Sequence, residues 1–397
     1  MYYNDFCGNK VSALGFGLMR LPKLPNGNAA DIDEKAMEIM VDEAISNGVN
    51  YFDTAFPYHD GVSEIAIGKI LKKYPRESFF LATKYPGHQV MSEYDPKGVF
   101  ETQLKKCQVE YFDYYLMHNI CEFSLPVYND PKWGIIDYFV RMKQEGKIKH
   151  LGFSSHATPE TLKLIFEKYG DVFEFCQIQL NYLDWELQEA EEKYEFLEQN
   201  NIPIIVMEPL RGGKLAALPD NEHARIEKLC PGETDADMSF RFLQSLPDVK
   251  VILSGMSSPI QMTQNIETFK ERRPVNEEEK ELLFDIAENI KAAVPCTACR
   301  YCVKGCPKGL DIPELIKIYN DLKYQIAFTG CMQMDVIPKD KWPSACIGCG
   351  ACAKICPQKI DIPDVMKNFA SLLDKDGISW AKVCKDREEA AKKLKNK

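Results

Sequence analysis

The chain has 397 residues and a net charge of −10, from 49 Lys and Arg against 59 Asp and Glu. Hydrophobic residues make up 45% and charged residues 27%, which is ordinary for a globular protein and excludes wholesale disorder. The acidic balance disfavours nucleic acid and anionic membranes as partners, since both attract basic surfaces. The sequence has no 18-residue apolar stretch and no visible secretory signal, so we expect a cytoplasmic protein.

Eight short apolar runs alternate with amphipathic segments over residues 1 to about 285. The runs are bounded by turn or polar residues, as buried parallel strands should be. We predict strands at residues 11–17, 50–53, 79–83, 114–117, 150–154, 175–179, 204–208 and 251–254. Residues 34–47 have helical apolar spacing and end before Gly48, and Thr158 and Pro159 open a later helix. The pattern predicts an α/β fold, a (β/α)8 TIM barrel, with an open doubly wound sheet as the alternative.

Eight of the 15 cysteines form two runs with the same spacing. These are Cys296-x-x-Cys299-x-x-Cys302-x-x-x-Cys306-Pro307 and Cys346-x-x-Cys349-x-x-Cys352-x-x-x-Cys356-Pro357. This spacing is typical of the two [4Fe–4S] clusters of bacterial ferredoxins. Three thiolates on one tight loop bind three corners of a cluster, and the fourth cysteine reaches the other cluster. Zinc is the alternative, but it leaves the regular x₃-Cys-Pro unexplained.

The spacing therefore predicts crossed ligation. One cluster would take Cys296, Cys299, Cys302 and Cys356, and the other would take Cys346, Cys349, Cys352 and Cys306. A matching helical stretch follows each run, at residues 310–317 and 360–367. The region 286–370 is thus similar to the mainly α-helical ferredoxin modules built into multi-subunit reductases. Residues 371–397 are expected to form a charged C-terminal helix or tail with a solvated face.

Polar residues follow three successive predicted strands of the barrel. Asp53 ends the second strand and Tyr58 comes five residues later, Lys84 ends the third, and His118 ends the fourth. Each alone has a structural explanation, such as a helix cap, a packing ring, a surface charge or a core histidine. Barrel enzymes place their chemistry at the carboxyl ends of the strands, so the four together favour a catalytic site.

Residues 10–275 resemble the aldo-keto reductases. The resemblance lies in Leu14-Gly-Phe-Gly17, Asn50-Tyr-Phe-Asp53-Thr-Ala, Tyr58, Thr83-Lys84, Leu116-Met-His118, Gly152-Phe-Ser154 and Cys176-Gln177-Ile. It implies hydride transfer from a reduced nicotinamide to a small-molecule carbonyl, or the reverse oxidation of an alcohol. Tyr58 would donate the proton, and Lys84, held by Asp53, would lower the pKa of Tyr58. His118 would orient the carbonyl oxygen.

The same resemblance implies a binding site for NADPH or NADH. Its residues would be Gly17, Arg20, Ser154, Gln177, Pro209, Leu210, Arg211, Lys214, Gln264 and Asn265. Ser154 and Gln177 would hold the carboxamide, residues 209–214 would cover the pyrophosphate, and Gln264 and Asn265 would approach the adenine.

The sequence departs from that family at four of its cofactor positions. Ser155 replaces an Asn, and Met207 replaces the Tyr that stacks on the nicotinamide. The Lys and Arg that grip a 2′-phosphate are absent around Gly255 and Gln261, which leaves NADH open.

Two functions are compatible with this sequence. The first is a nicotinamide-dependent carbonyl reductase whose clusters transfer electrons or dock a redox partner. The second is an electron-transfer or partner-docking iron–sulfur protein with little reductase activity. A cluster passes one electron, whereas a hydride carries two. A flavoprotein, another redox partner or an unrecognised cofactor would therefore have to couple the clusters to the nicotinamide. Alternatively, the clusters are structural or redox-sensing.

Overall fold

The computed structural model describes residues 1–25, 27–291, 293–324, 328–376, 379–380 and 382–385. The chain divides into two units, Met1–Asp285 and Ile286–Lys397. Within the described ranges, no helix has the length and apolar character needed to cross a membrane.

Eight parallel strands close into a barrel in the first unit, which confirms the predicted fold class and excludes the open sheet. In chain order the strands of this unit are β1 Tyr3–Phe6, β2 Asn9–Ser12, β3 Leu14–Gly17, β4 Tyr51–Asp53, β5 Phe80–Tyr85, β6 Phe112–Met117, β7 Ile148–Ser155, β8 Cys176–Gln179, β9 Ile204–Met207 and β10 Val249–Ser254. Strands β3 to β10 pair in sequence, and β10 closes the barrel by pairing with β3 as well as β9.

The first predicted strand, residues 11–17, is wrong as a single element. Its first two residues belong to an antiparallel hairpin of β1 and β2, and the barrel strand β3 begins only at Leu14. Phe6 of the hairpin is fully buried, stacks on Tyr114 at 4.7 Å and meets Phe175 edge-on at 5.3 Å. Burying such a ring is worth about 1.5–3 kcal/mol. The hairpin thus packs on the core near the amino end of β4. The residues predicted as catalytic follow the carboxyl ends of the strands instead.

Twelve helices begin in the described part of this unit and follow or connect its strands. They are α1 Glu34–Ser46, α2 Ser63–Leu71, α3 Pro96–Cys107, α4 Leu125–Asn129, α5 Ile135–Gln144, α6 Pro159–Tyr169, α7 Asp184–Leu187, α8 Ala190–Gln199, α9 Asp220–Leu229, α10 Asp235–Gln244, α11 Pro259–Thr268 and α12 Glu277–Ile290. Thr158 caps α6 by accepting the Thr161 amide hydrogen, and Gly48 follows α1 with φ of 90°, as the sequence predicted. Three short 3-10 segments lie at Tyr58–Gly61, Arg76–Ser78 and Arg211–Ala216.

The described part of the second unit contains helices and no strand. Its helices are α13 Tyr301–Lys304, α14 Ile312–Tyr324, α15 Phe328–Val336, α16 Ala351–Ile355 and α17 Ile362–Asp376, with 3-10 turns at Lys339–Lys341 and Pro343–Ala345. Each cysteine run has a short helix, α13 or α16, and then a long one, α14 or α17. Helix α17 continues past residue 371 to Asp376, and most of the predicted terminal helix at 371–397 lies outside the described residues.

Candidate active site and thiol cavities

Lys84 and Asp53 form a buried ion pair between neighbouring barrel strands. Asp53 ends β4, Lys84 lies on β5, and their side chains are 2% and 0% exposed. The Lys84 Nζ atom is 2.5 Å from Asp53 Oδ1 and donates to the Thr54 carbonyl at 2.8 Å. Burial raises the pKa of Asp53 and lowers that of Lys84, and their mutual attraction opposes both shifts. Desolvating two charges is costly, so a pair at this position points to a function rather than to stability.

Tyr58 and His118 lie beside this pair. Tyr58 begins the 3-10 turn after β4, and His118 directly follows β6. Lys84 Nζ is 5.0 Å from the centroid of the Tyr58 ring, and the Tyr58 and His118 rings are 5.8 Å apart and nearly perpendicular at 79°. The structure therefore brings all four predicted catalytic residues together at the carboxyl ends of β4 to β6.

The turn that carries Tyr58 is held in an unusual conformation. His59 and Asp60 have φ of 52° and 53°, in the left-handed region that residues other than glycine rarely adopt. His59 Nε2 accepts the Leu21 amide hydrogen at 3.1 Å, so Nδ1 carries the proton and donates to the Ala29 carbonyl at 2.7 Å. These bonds tie the turn to the loop after β3 and so fix the start of the Tyr58 segment.

The Tyr58 hydroxyl keeps its proton at neutral pH. The surrounding protein desolvates the phenolate, and Asp53 and Glu208 repel it, so the pKa of Tyr58 lies well above its usual value. The attraction that Lys84 exerts on the phenolate does not bring this pKa below its usual value, because burial of the ring outweighs it. Lys84 is paired with Asp53, which offsets the field of the ammonium at the ring.

His88 is a neighbour of the site that the sequence analysis missed. It follows β5, is 4% exposed, and its ring lies 4.2 Å from the His118 ring. Tyr128 donates its hydroxyl to the His118 carbonyl at 2.8 Å, which fixes the backbone there. A signal was present, because His88 stands only four residues after Lys84, past the end of a predicted strand.

A buried polar network supports β5 behind Lys84. The amide nitrogen of Gln103 donates to Glu64, to the Thr83 hydroxyl and to the Lys84 carbonyl, at 2.8, 3.1 and 3.0 Å. Tyr115 donates to the Gln103 amide oxygen at 2.6 Å. Satisfied networks of this kind hold a single arrangement, so they keep the Lys84 backbone in place.

Ser154 and Gln177 stand opposite each other on β7 and β8, and each is 2% exposed. Ser154 Oγ accepts the Asn119 amide hydrogen at 2.8 Å, and Gln177 Nε2 donates to the Met207 sulfur at 3.5 Å. The buried Gln177 Oε1 has no hydrogen-bond partner among the described residues. A buried amide oxygen requires a donor, so this position fits the amide N–H of a nicotinamide carboxamide.

Gly17 and Arg20 lie along the loop that follows β10. A Cβ atom on Gly17 would come within 3.3 Å of the Ser254 carbonyl oxygen, so the strand ends approach closely there. The exposed Arg20 covers Gly255, whose added Cβ would lie 3.3 Å from the Arg20 side-chain carbons. The Ser257 hydroxyl donates to the Arg20 carbonyl at 2.6 Å. Arg20 thus packs its side-chain carbons beside residues 255–261, which contain no Lys or Arg.

The residues of the predicted pyrophosphate loop differ in how accessible they are. Arg211 is 2% exposed and pairs with the buried Asp184, whereas Lys214 is exposed. Pro209 is buried and Leu210 is partly exposed. Lys214 is thus the loop cation that solvent and a bound anion can reach.

The two predicted adenine residues also differ. Gln264 is exposed on α11, and Asn265 is 6% exposed and donates to the Ser254 hydroxyl at 2.9 Å. Asn265 therefore ties α11 to the end of β10, and Gln264 is the one with a free path to a ligand.

The eight clustered cysteines line two cavities in the second unit. Cavity A is lined by Cys296, Cys299, Cys302 and Cys356, and cavity B by Cys306, Cys346, Cys349 and Cys352. Each cavity combines three cysteines of one run with the last cysteine of the other, which is the grouping expected from the spacing. Ile312 and Ile362 line both cavities. Four thiols in an otherwise mainly apolar surround fit a [4Fe–4S] cluster.

Comparison with known proteins matches each unit to one family. The Aldo/keto reductase family model matches residues 13–286, and the 4Fe-4S dicluster domain model matches residues 295–360. The probable aldo-keto reductase 1 of Glycine max is 30% identical over 216 residues, which are 52% of this chain and 58% of that protein. The uncharacterized oxidoreductase YqkF of Bacillus subtilis is 27% identical over 71% of this chain and 95% of its own length. The holo form of aldo-keto reductase AKR11C1 from Bacillus halodurans has a TM-score of 0.59 at 25% identity, covering 72% of this chain and 96% of that one.

Proposed function

Because this chain belongs to the aldo/keto reductase family and carries a 4Fe-4S dicluster domain, we propose that its barrel reduces a small carbonyl compound. The reductant would be NADPH or NADH, and the oxidation of an alcohol would use the same groups in reverse. The observation that carries the proposal is the convergence of Tyr58 and His118 on the buried Lys84–Asp53 pair. A buried ion pair beside a phenol with a shifted pKa is typical of active sites.

The proton in this reaction comes from Tyr58. The nicotinamide, when bound, supplies the hydride to the carbonyl carbon. Negative charge then develops on the carbonyl oxygen, and Tyr58, which holds its proton at neutral pH, donates it there. The Lys84 ammonium, 5.0 Å from the ring centroid, stabilises the phenolate that is left. The His118 ring stands across from Tyr58 and orients the same oxygen by a hydrogen bond.

The nicotinamide end of the cofactor would be held by Ser154 and Gln177. The unpartnered Oε1 of Gln177 accepts a carboxamide N–H, and the Ser154 hydroxyl donates to the carboxamide oxygen. Met207, held beside Gln177, presents an apolar sulfur to the ring in place of an aromatic side chain. Lys214 would pair with the pyrophosphate, and Arg20 with the adenosine end.

The clusters of the second unit would exchange single electrons with a redox partner, such as a flavoprotein. Cys299 and Cys349 are exposed, which gives a partner access to both cavities. The same exposure favours the second candidate function, an electron-transfer protein with little carbonyl reduction of its own. In either case a hydride must be divided into two one-electron steps before a cluster can use it.

An isotope experiment distinguishes these functions. We would incubate the anaerobically purified protein with nicotinamide deuterated at the transferring C4 position and a panel of aldehydes and ketones. Direct hydride transfer places deuterium on the carbinol carbon of the product, detected by mass spectrometry. Product without deuterium would mean that electrons arrive by another route and would contradict the proposal. No product from any carbonyl, with the clusters still reduced by a one-electron donor, would favour the second function.

A further inference from the structure

The two thiol cavities are built by an internal repeat, but their charged surroundings differ. Lys308, two residues after Cys306, lines cavity B. The residue in the equivalent place, two residues after Cys356, is the neutral Gln358, which lines cavity A. The repeat therefore offers a natural comparison in which one position carries a charge in one copy only.

A second lysine adds to the positive charge at cavity B. Lys341 donates from its ammonium to the Lys308 carbonyl at 2.7 Å, and the same atom lies 3.2 Å from where a Cβ on Gly309 would stand. Neither Lys308 nor Lys341 forms an ion pair with any of the described residues. Lys308 is therefore a cation in the lining of cavity B that no described carboxylate pairs with, and Lys341 is hydrogen-bonded to its backbone.

Cavity A also has a cation in its lining, but that cation is neutralised. Arg300 lines the cavity and pairs through Nη2 with Asp311 at 2.6 Å. Lys359, the counterpart of Gly309 in the repeat, and Lys341 both lie outside the two linings, so the linings themselves differ by Lys308 against Gln358. Lys304 and Lys354 hold equivalent positions in the two runs, so their effects largely cancel.

Backbone hydrogen bonds reach sulfur in both cavities, and cavity B also has one from the Ala353 amide to Cys352. The Leu310 amide donates to Cys306 Sγ at 3.5 Å in cavity B, and the Ala298 amide reaches Cys296 in cavity A. The potential of an iron–sulfur cluster depends on nearby charge, hydrogen bonds and solvent exposure. The charge of Lys308, with neutral Gln358 in the equivalent place, is the difference between the two sites that a single substitution can test.

We infer that the cluster in cavity B has the higher reduction potential because Lys308 lies in its lining, with Lys341 hydrogen-bonded to the Lys308 backbone. Each cluster accepts one electron, supplied by a one-electron donor protein, and becomes more negative by one charge. Nearby cations stabilise that reduced form, so the first electron to enter the domain settles at cavity B. This inference depends on the proposed cluster ligands and not on carbonyl reduction.

A redox titration with swapped residues tests the assignment. Anaerobic protein, first shown to hold about eight irons per chain, the sum of two four-iron clusters, would be titrated with dithionite and followed by electron paramagnetic resonance. We expect two one-electron transitions. Lys308→Gln should lower the higher of the two midpoint potentials, and Gln358→Lys should raise the lower one. Each variant should therefore reduce the difference between the two potentials. As a control, the double variant Lys304→Gln with Lys354→Gln removes one lysine from each run and should leave the difference between the two midpoint potentials nearly unchanged.

Several outcomes would overturn the inference. One is that Lys308→Gln shifts the lower of the two midpoint potentials. Another is that neither substitution changes the difference between the two potentials. If Lys308→Gln loses iron, Lys341→Met is the second variant, because Lys341 does not line the cavity, and it should also lower the upper midpoint. A protein without iron would contradict the cluster assignment itself. The iron analysis shows this before the titration begins.

Discussion

The Nζ atom of Lys84 and the Oδ1 atom of Asp53 are 2.5 Å apart, with both side chains almost fully removed from solvent. Burial lowers the pKa of Lys84, and the neighbouring carboxylate opposes that shift. That charge is 5.0 Å from the centre of the Tyr58 ring, where a phenolate would be left after proton donation. The pair thus lies beside a tyrosine whose pKa stays above its usual value.

Tyr58→Phe should abolish most of the carbonyl reduction. The change removes one hydroxyl from a partly exposed ring, so fold and nucleotide affinity should stay nearly as they are. Loss of a positioned acid costs about 10²- to 10⁴-fold in rate. Turnover and cofactor affinity measured on the same preparation check this, with Tyr3→Phe on the exposed hairpin as the matched control. A wild-type rate in Tyr58→Phe would remove Tyr58 from the mechanism.

The pH dependence should follow the raised pKa of Tyr58. Reduction needs the protonated phenol, which predominates at every pH below that pKa, so the rate should not fall between about pH 7 and 9 for this reason. Alcohol oxidation needs the phenolate and should rise with pH over the same range. Rate profiles in both directions measure this. A reduction rate that falls with a midpoint near pH 8 would show that the bound cofactor lowers the tyrosine pKa.

Lys84→Met should slow turnover in both directions. Without the ammonium, the phenolate of Tyr58 loses its nearest cation, so the pKa of Tyr58 rises further and alcohol oxidation shifts to still higher pH. Asp53 would be left buried and unpaired, so a double variant, Asp53→Asn with Lys84→Met, separates the electrostatic effect from unfolding. A correctly folded double variant with unchanged rate and pH profile would contradict the role of this pair.

The nucleotide preference should be weak. No Lys or Arg occurs between Gly255 and Gln261, and Arg211 is committed to Asp184. We expect less than about tenfold discrimination between NADPH and NADH, roughly 1.4 kcal/mol. Titration of both nucleotides measures the ratio. A hundredfold preference for NADPH would point to Arg20 or Lys214, and Arg20→Met and Lys214→Met would show which of them binds the 2′-phosphate.

Cys356→Ser should damage the cluster bound by Cys296, Cys299 and Cys302, although it lies in the other run. All four cysteines line cavity A. Anaerobic wild-type protein should contain about eight irons per chain, since each cluster holds four. Iron analysis and spectroscopy of Cys356→Ser beside Cys306→Ser would show which cluster is lost in each. Loss of the Cys346 cluster in Cys356→Ser would contradict crossed ligation, and stoichiometric zinc without iron would contradict both clusters.

Much of the fold was visible in local patterns. Seven of the eight predicted barrel strands correspond to single strands of the structure, because short apolar runs between polar turns are a property of the chain itself. The exception at residues 11–17 has a long-range cause. Phe6 stacks on Tyr114, more than a hundred residues away, and that packing folds the start of the chain back as a hairpin.

The site shows the same division between short-range and long-range information. The sequence by itself determined the barrel, the candidate catalytic residues and the grouping of the cysteines, because strand ends and motif spacing constrain them locally. Only the tertiary structure decided that Tyr58 keeps its proton, that Asp184 occupies Arg211, and that Arg20 covers Gly255. Desolvation and ion pairing depend on which distant groups surround a side chain, and residue spacing along the chain does not specify those neighbours.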